Sequence, residues 1–556
     1  MPQDAFHIKR LTVELDKILK GGKINRISQA DKDELTFIIY TGKTTLKLVL
    51  STSASSARVC ISETEKEPAA IAPNFCMLLR KHLQNAEIVS IRQVDFERIV
   101  AITLHCTTDF SQTDRVLYCE LMGKYSNLVL TENGVILGAL KTTALENNAH
   151  RTLFTGAKYL FPKPQDKISP FDEAGLRSLT ENFRYTKESE KEKQEEFALY
   201  LFENVSGIAL STAKEIVKRI YEKEETLFQF LPKFCLEEPC NSCVTFDKTG
   251  NPTDFYAFEQ KNSKKTEFLY QAEDEYFTLK EKRKRFNEKK KKLENTVLAY
   301  EKKQRKKLEE NLQKIKDAEK ADEYRKKGEL LTANLYKIEK GESFVELDDW
   351  YSPNCEKIKI QLDATLSPSK NAQRYFRSYN KLKRAKEILQ PMIEKSEREI
   401  DYIKSIVSSV THAEKEEDLK EIEEELASLG LLRLPKEKVG GKKKEIPFRE
   451  FEQDGFTIYA GRNNVQNDRL LRFASSEDLW FHTQKYHSSH VIVVTGGKEV
   501  PTSVLQKAAE ICVSYSDGKD SGKVPVDYCF RKNVKKPSGA KAGFVTYTHY
   551  KTILVE

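Results

Sequence analysis

No apolar run in these 556 residues approaches the ~18 that a membrane-spanning helix needs. The opening segment, MPQDAFHIKRLTVELDK, is broken by Asp4, Glu14 and Asp16, so no secretory signal is expected there. The ten cysteines follow no repeating frame, which predicts reduced thiols in a cytoplasm rather than a disulfide scaffold. Three of them, Cys235, Cys240 and Cys243, cluster in CLEEPCNSC. A structural zinc site takes four ligands, and the next cysteine is Cys355, so buried or loop thiols are expected, with no metal and no cofactor. The phosphate-loop pattern is also missing: TGKTT (41–45) has Phe37 where the first glycine belongs and reads as a turn between strands. Ser488-Ser489-His490 and His482 lie in no Gly-x-Ser-x-Gly context, and Ser489-His490 reads as the start of a strand. These absences predict a protein that is not an enzyme.

What the chain has in excess is charge. Lys and Arg number 93 against 85 Asp and Glu, so a 32% charged content nearly cancels to +8. Globular chains carry roughly 25%. A surplus that cancels so closely points to segregated charge, on long solvated helices or basic faces. The 39% hydrophobic content is ample for real cores and excludes wholesale disorder. At roughly 150 residues per domain, three or four domains are expected.

Residues 1–170 read as a mixed α/β domain. Leu11, Leu15, Ile18 and Leu19 recur at helical spacing and stop at Gly21-Gly22. Short β-rich stretches follow, with PNFCMLLRKHLQNAEI as a helix among them and Glu132-Asn133-Gly134 as a hairpin turn. Asp95-Phe96-Glu97-Arg98 precedes the strand IVAITL. Arg98 there could fork onto an RNA phosphate with an acid orienting it, or form an ordinary surface ion pair. Residues 171–271 form a helix-hairpin-helix region, of which 190–270 reads as mainly helical. FALYLFENVSGIALSTAKEIVKRIY gives a helix-hairpin-helix whose Ser206-Gly207-Ile208 turn amides can approach a phosphate.

From 272 to 327 a coiled-coil arm is expected. Leu279, Phe286, Leu293 and Tyr300 recur every seven residues, Val297 completes the seam, and Leu308, Leu312 and Ile315 resume it. Its run KEKRKRFNEKKKK (280–292) holds nine basic and two acidic residues. A second arm at 385–430 carries Ile388, Met392, Ile403, Ile406, Val407, Val410, Leu419, Ile422 and Leu426, and should pair antiparallel with the first. Between the arms, 328–384 holds Trp350 and the alternating KIKIQLD, a small folded tip. A basic Pro/Gly/Lys linker (431–447) leads to a strand-rich α+β domain at 448–556 with one helix, TSVLQKAAEICVSYS. In it RKNVKKPSGAK (531–541) brings five basic residues and no acid, a candidate phosphate footprint.

Several segments occur here in the order found in NFACT proteins. They are DAF (Asp4), FCMLLRKHL (75–83), DFERI (95–99), ELMGKYSNLVL (120–130), GELLTANLY (328–336), LDATLSPSKNAQRYFRSYNKLKRA (362–385), GRNNVQND (461–468), EDLWFH (477–482) and KKPSGAKAG (535–543). The chain resembles that family over essentially its whole length. The resemblance implies a multidomain α+β fold: a glycosylase-like N-terminal α/β domain, a helix-hairpin-helix region, a long antiparallel coiled coil with a small middle domain, and a C-terminal α+β NFACT-R domain. It implies a cytoplasmic factor that binds large ribosomal subunits obstructed by peptidyl-tRNA, touching rRNA and the stalk-base region. Such a factor recruits alanyl-tRNA for mRNA-independent alanine tailing, alongside a small RNA-binding tailing partner, and leaves peptide-bond formation to the ribosome. Neither a membrane nor DNA is an implied partner.

The family's tailing residues fall on Asp4 and on Glu97-Arg98, where Glu97 replaces an Asp; Lys124 is a further tRNA-binding candidate. The implied rRNA face of the arm is Lys282, Arg283, Lys284, Arg285, Lys289, Lys290, Lys291 and Lys292. In the NFACT-R domain Arg462, Asn463, Asp478, Trp480, His482, Lys535 and Lys536 carry over. Ser488 departs from the family's glycine and Ala542 from its proline. Two rivals stand against this. A DNA glycosylase would follow Pro2 with Glu, where this chain has Gln3, and would need a zinc-finger hairpin. A fibronectin-binding surface adhesin conflicts with the missing export signal.

Overall fold

The computed structural model describes residues 3–64, 66–69, 71–108, 111–143, 151–236, 241–353, 355–434 and 446–555. The chain divides into two compact units, Met1–Lys284 and Arg285–Glu556. Among the described residues no helix is long and apolar enough to cross a membrane.

The first unit opens with α1 (Ala5–Leu19), capped by Asp4, whose carboxylate accepts from the His7 N–H at 2.8 Å. Leu11, Leu15 and Leu19 lie on its buried face with Phe6 and Ile8. The chain leaves the helix through Gly21 at φ +78°, a left-handed conformation that glycine adopts without strain. A nine-stranded sheet follows: β1 (Lys23–Asp31), β2 (Glu34–Tyr40), β3 (Thr45–Ser51), β4 (Arg58–Ile61), then α2 (Asn74–Leu83), β5 (Glu87–Gln93), β6 (Ile99–Thr108), β7 (Ser111–Glu120), β8 (Asn127–Glu132) and β9 (Val135–Ala139). Its order is β4-β3-β2-β1-β5-β6-β7-β8-β9, and every pairing is antiparallel. TGKTT is a turn, closed by the Thr41 N–H on the Thr44 carbonyl at 3.0 Å. Asn133 and Gly134 make the β8–β9 turn at φ +49° and +76°.

Helices α3 (Glu173–Asn182), α4 (Glu190–Asn204), α5 (Leu210–Lys223) and α6 (Leu227–Leu236) share one core with the sheet. The expectation of a mainly helical 190–270 missed a three-stranded sheet there: β10 (Ser242–Phe246), β11 (Pro252–Tyr256) and β12 (Ser263–Thr266). Strands of four or five residues, several of them polar, are too short to show a period. The start of α7 (Leu269–Glu319) packs on this sheet, with Tyr276 and Phe277 against Phe255.

In the second unit α7 continues, followed by α8 (Ala321–Ala333), β13 (Phe344–Asp348), β14 (Lys357–Gln361), α9 (Pro368–Thr411) and α10 (Glu416–Ser428). KIKIQLD begins with β14, paired to β13, with Ile360 buried. Leu293 and Val297 of α7 pack with Ile403, Ile406 and Val410 of α9 and with Leu419, Ile422 and Leu426 of α10. The second arm therefore differs from expectation. Its helix begins at Pro368, behind a Ser367 cap that accepts from the Lys370 N–H, and it breaks before α10. Ile388 is 63% exposed and Met392 is also exposed, so neither belongs to the seam. Beyond Tyr300, Leu312 faces solvent while Asn311 and Ala318 are buried. The seven-residue step itself holds, since Asn311 and Ala318 lie fourteen and twenty-one positions beyond Val297; what changes is the residue type, Asn and Ala in place of large apolar side chains. Of the linker, 435–445 lies outside the described residues.

The C-terminal domain is a six-stranded sheet, β15 (Arg449–Gln453), β16 (Phe456–Ala460), β17 (Leu479–Thr483), β18 (Val491–Val493), β19 (Val524–Phe530) and β22 (Lys551–Val555), ordered β15-β16-β18-β17-β19-β22. β20 (Val534–Lys535) and β21 (Thr546–Tyr547) form a side ribbon. Strand alternation splits its apolar residues between two faces. Phe481, Val491 and Val493 meet α12 (Thr502–Ser514) on one face. Trp480 and Ile492 meet Leu470 and Leu471 of α11 (Asn464–Phe473) on the other. Helix α11 corrects the expectation of a single helix. NVQNDRLLRF has too few apolar residues to show a helical period, and Asn463 starts it by capping the Gln466 N–H at 2.9 Å.

Candidate nucleic-acid interface

Asp4 is the most enclosed of the residues singled out in the first unit, at 6% exposure. One carboxylate oxygen holds the His7 N–H. The other accepts from the Ala209 N–H at 2.7 Å and from the Thr212 hydroxyl at 2.6 Å. The Ala5 and Phe6 N–H groups in turn donate to the Gly207 carbonyl. The helix-hairpin-helix turn thus closes on α1. The N-terminus of α5, expected to approach a phosphate, holds the Asp4 carboxylate instead. Free amides and the helix dipole favour any anion there, and this one is built in. Burial raises the Asp4 pKa although its three hydrogen bonds oppose the shift.

Phe96 closes the same place from the other side. Gly207 has φ +76°, and a Cβ on it would lie 2.7 Å from the Phe96 ring, so no larger residue fits. Asp95 and Phe96 are both left-handed, at φ +45° and +52°, in a turn closed by the Glu97 N–H on the Val94 carbonyl at 2.8 Å. Two consecutive non-glycine residues in this region are uncommon and strained. The Gln93 amide donates to the Ala5 carbonyl at 2.7 Å and the Glu97 carbonyl at 2.9 Å, which brings the Asp4 segment and Glu97-Arg98 together. Glu97 is half-buried, and desolvation raises its pKa against the pull of Arg98. The Arg98 guanidinium has no hydrogen bond or ion pair with a described residue, while its carbonyl accepts from the Leu121 N–H at 2.9 Å. That bond draws in the loop carrying Lys124, whose ammonium lies 4.8 Å from the exposed Tyr125 ring. Glu97, Arg98, Lys124 and Tyr125 are accessible; Asp4 is not.

An aromatic group not foreseen from sequence lies on the same sheet. Tyr118 and Tyr159 stack at 4.3 Å, Phe161 meets both edge-on, and the Arg151 guanidinium lies 5.2 Å from the Tyr159 ring. Tyr118 is opposite Ala101 in register, and Ala101 is opposite Arg92. The sequence signal was available in alternation alone, since Tyr118 falls on the face opposite the buried Leu117 and Cys119.

The eight arm cations are not equivalent. Lys289 pairs with Glu423 at 2.9 Å. Lys290 donates to the Thr411 and Ala413 carbonyls at 2.6 and 3.2 Å and so satisfies the C-terminal end of α9. Lys282, Arg283, Lys284, Arg285, Lys291 and Lys292 are exposed.

In the C-terminal domain most of the singled-out residues hold structure together. Arg462 reaches Asp418 at 3.3 Å and the Pro447 carbonyl at 3.1 Å. Asn463 caps α11 and donates to Glu421 at 2.6 Å. Asp478 accepts from the Ser475 and Thr495 N–H groups at 2.8 and 2.9 Å. Trp480 is buried and parallel to His482, with ring centroids 5.7 Å apart. Desolvation pushes the His482 pKa down to about 4 and lowers that of His490 as well. These three rings line a cleft of about 720 Å³ against α9.

The basic loop carries less free charge than its composition suggests. The Arg531 guanidinium donates to the Leu471 and Val534 carbonyls. Lys532 pairs with Glu477, Lys536 with Asp468 and Lys541 with Glu399. Lys535 is exposed and has no carboxylate partner among the described residues. Of the clustered cysteines, Cys235 and Cys243 are buried, the Cys235 thiol pushed up by desolvation. Cys240 lies outside the described residues. No cluster of metal-binding side chains occurs among the described residues.

Two family profiles match the chain. The one described as NFACT N-terminal and middle domains covers residues 4–445, and the one described as NFACT protein RNA binding domain covers 446–547. The Bacillus subtilis protein named Rqc2 homolog RqcH is 33% identical over 569 residues, spanning 100% of this chain and 98% of the relative. The Streptococcus pneumoniae protein of the same name is as similar, with the same identity and coverage. Among solved structures, the N-terminal part of the Streptococcus suis fibronectin/fibrinogen-binding protein aligns at TM-score 0.43 and 24% identity, over 50% of this chain and 99% of its own. The C-terminal part of that protein aligns at TM-score 0.37 and 32% identity, over 49% and 95%.

Proposed function

The chain belongs to the NFACT family, and from that membership we propose that it is a cytoplasmic factor that rescues obstructed large ribosomal subunits. It binds subunits still holding peptidyl-tRNA and recruits alanyl-tRNA, so that the stalled chain gains a C-terminal alanine tail without mRNA. The observation that carries this is full-length similarity to proteins named for ribosome quality control, joined to a terminal segment that matches an RNA binding domain. The exposed cations of α7 supply the chemistry for rRNA: each phosphate neutralised releases counterions, without sequence preference. A 51-residue helix reaches about 75 Å at 1.5 Å per residue, enough to touch well-separated points on a subunit. Arg98 offers tRNA a planar fork for a phosphate, its guanidinium uncommitted among the described residues and the Glu97 carboxylate adjacent in the chain. Tyr125 beside Lys124 offers a ring on which an unpaired base can stack. The chain contributes binding and positioning, and peptide-bond formation stays with rRNA.

Sedimentation with purified large subunits across a salt series, followed by sequencing of the bound RNA, tests this. Both rRNA and tRNA should be recovered, with binding that weakens steeply as salt rises. Recovery of neither overturns the proposal.

A further inference from the structure

The cleft against α9 has a construction of its own. Its inner wall is aromatic: Trp480 lies parallel to His482 at 3°, His490 meets both edge-on, and Tyr547 lies 4.9 Å from Trp480. Trp480 and His490 are 0% and 1% exposed, yet Trp480 Nε1 and His490 Nδ1 have no hydrogen-bond partner. Buried polar atoms are rarely left unmet. An indole N–H can only donate. His490 Nδ1 donates or accepts according to the tautomer of the ring. Two unmet ring nitrogens on one aromatic wall, from rings whose centroids are 5.3 Å apart, complement a nucleobase edge, which carries donors and acceptors.

Charge at the opening fits the rest of a nucleotide. Lys395 on α9 and Lys485 after β17 line the cleft, are exposed, and have no carboxylate partner among the described residues. Arg398 and Lys541 also line it but are paired with Glu394 and Glu399, and Asp401 on the same wall pairs with His487, so Lys395 and Lys485 are the cations left for phosphate. We propose that the cleft takes one unstacked nucleotide of single-stranded RNA. The base lies on the His482 side of the aromatic wall, its edge turned toward Trp480 Nε1 and His490 Nδ1, and the flanking phosphates lie by Lys395 and Lys485. This deepens the ribosomal proposal and rests on it.

The chain has two tryptophans, so Trp350→Phe leaves Trp480 as the only indole reporter. The full-length Trp350→Phe protein is titrated with a six-nucleotide single-stranded RNA and, separately, with AMP. Saturable quenching by the RNA is expected, with AMP roughly tenfold weaker or worse because it carries one phosphate where the RNA places two. Adding Lys395→Glu and Lys485→Glu should weaken the RNA roughly tenfold and reduce its log–log salt slope by about 1.4, at 0.7 per phosphate on single strands. Both lysines are exposed, so thermal melting should not change.

No quenching by the RNA, or unchanged affinity in the charge-reversed protein, overturns the proposal. AMP binding as tightly as the RNA assigns the cleft to free nucleotides and overturns it too. Sedimentation with large subunits is measured on the same preparations. Sedimentation retained without quenching removes the cleft alone, and quenching without sedimentation removes the ribosomal proposal alone.

Discussion

Asp4 and Arg98 lie in one hydrogen-bonded neighbourhood and differ in exposure, Asp4 buried and Arg98 half-buried. Replacing Asp4 with Ala leaves the Ala209 N–H and Thr212 hydroxyl unmet, which should cost about 3 kcal/mol. A lowered denaturant midpoint at unchanged m-value would show this. Arg98→Ala should leave stability within about 0.5 kcal/mol while abolishing alanine tails in a reconstituted tailing assay. Normal tails from that variant would remove its tRNA role. A tailing defect in an Asp4 variant must therefore be compared with its folding. His482 gives a pH signature. Its pKa is about 4 in the fold and about 6.5 unfolded, so the unfolded chain takes up the proton first. Stability is then lost as pH falls from 6.5 toward 4, by roughly 1.4 kcal/mol at pH 5.5. Trp480 fluorescence in the Trp350→Phe protein should show a lower melting temperature at pH 5.5 than at 7.5, and His482→Asn should shrink the gap. Asp4, Glu97, Arg98 and Trp480 were singled out by their motifs. Their exposure was not legible there, because the partners that bury Asp4 lie more than 200 positions downstream.

Among the elements, α7 shows where local pattern suffices and where it fails. The seam through Leu293 and Val297 was readable from spacing and is buried as expected. Past Tyr300 the buried places keep the seven-residue step from Val297, but Asn311 and Ala318 fill them, which a pattern of large apolar residues does not mark. The same helix separates two kinds of lysine. Reversing Lys282, Arg283, Arg285, Lys291 and Lys292 to Glu should weaken subunit sedimentation. It should also flatten the salt dependence by about 0.9 for each duplex-RNA phosphate no longer neutralised, taking the B-DNA value as a guide. Helical content by circular dichroism should stay unchanged. Unaltered sedimentation would take the arm out of rRNA binding. Lys290→Ala should act differently: it strips two carbonyls at the end of α9 of their cap and should cost about 1 kcal/mol of stability.

For the whole molecule, the near-cancelled net charge says little, because function depends on where cations are left uncommitted. Lys289, Lys290, Lys536 and Lys541 are partnered within the fold, while Lys395, Lys485 and Lys535 have no carboxylate partner among the described residues. Two compact units predict calorimetric unfolding in more than one transition, with Asp4→Ala lowering only one of them. The contacts of α1 also set a timetable. Asp4 meets its amide 205 positions later, Glu14 meets Leu269 255 positions later, and Gln3 meets Glu273 270 positions later. At roughly 5–20 residues per second, on the order of 10–40 s of synthesis separate Asp4 from Ala209. Through that interval the first helix is made but its carboxylates lack their partners. The nascent N-terminal unit stays open, exposed to proteases and chaperones, until its last helices leave the tunnel.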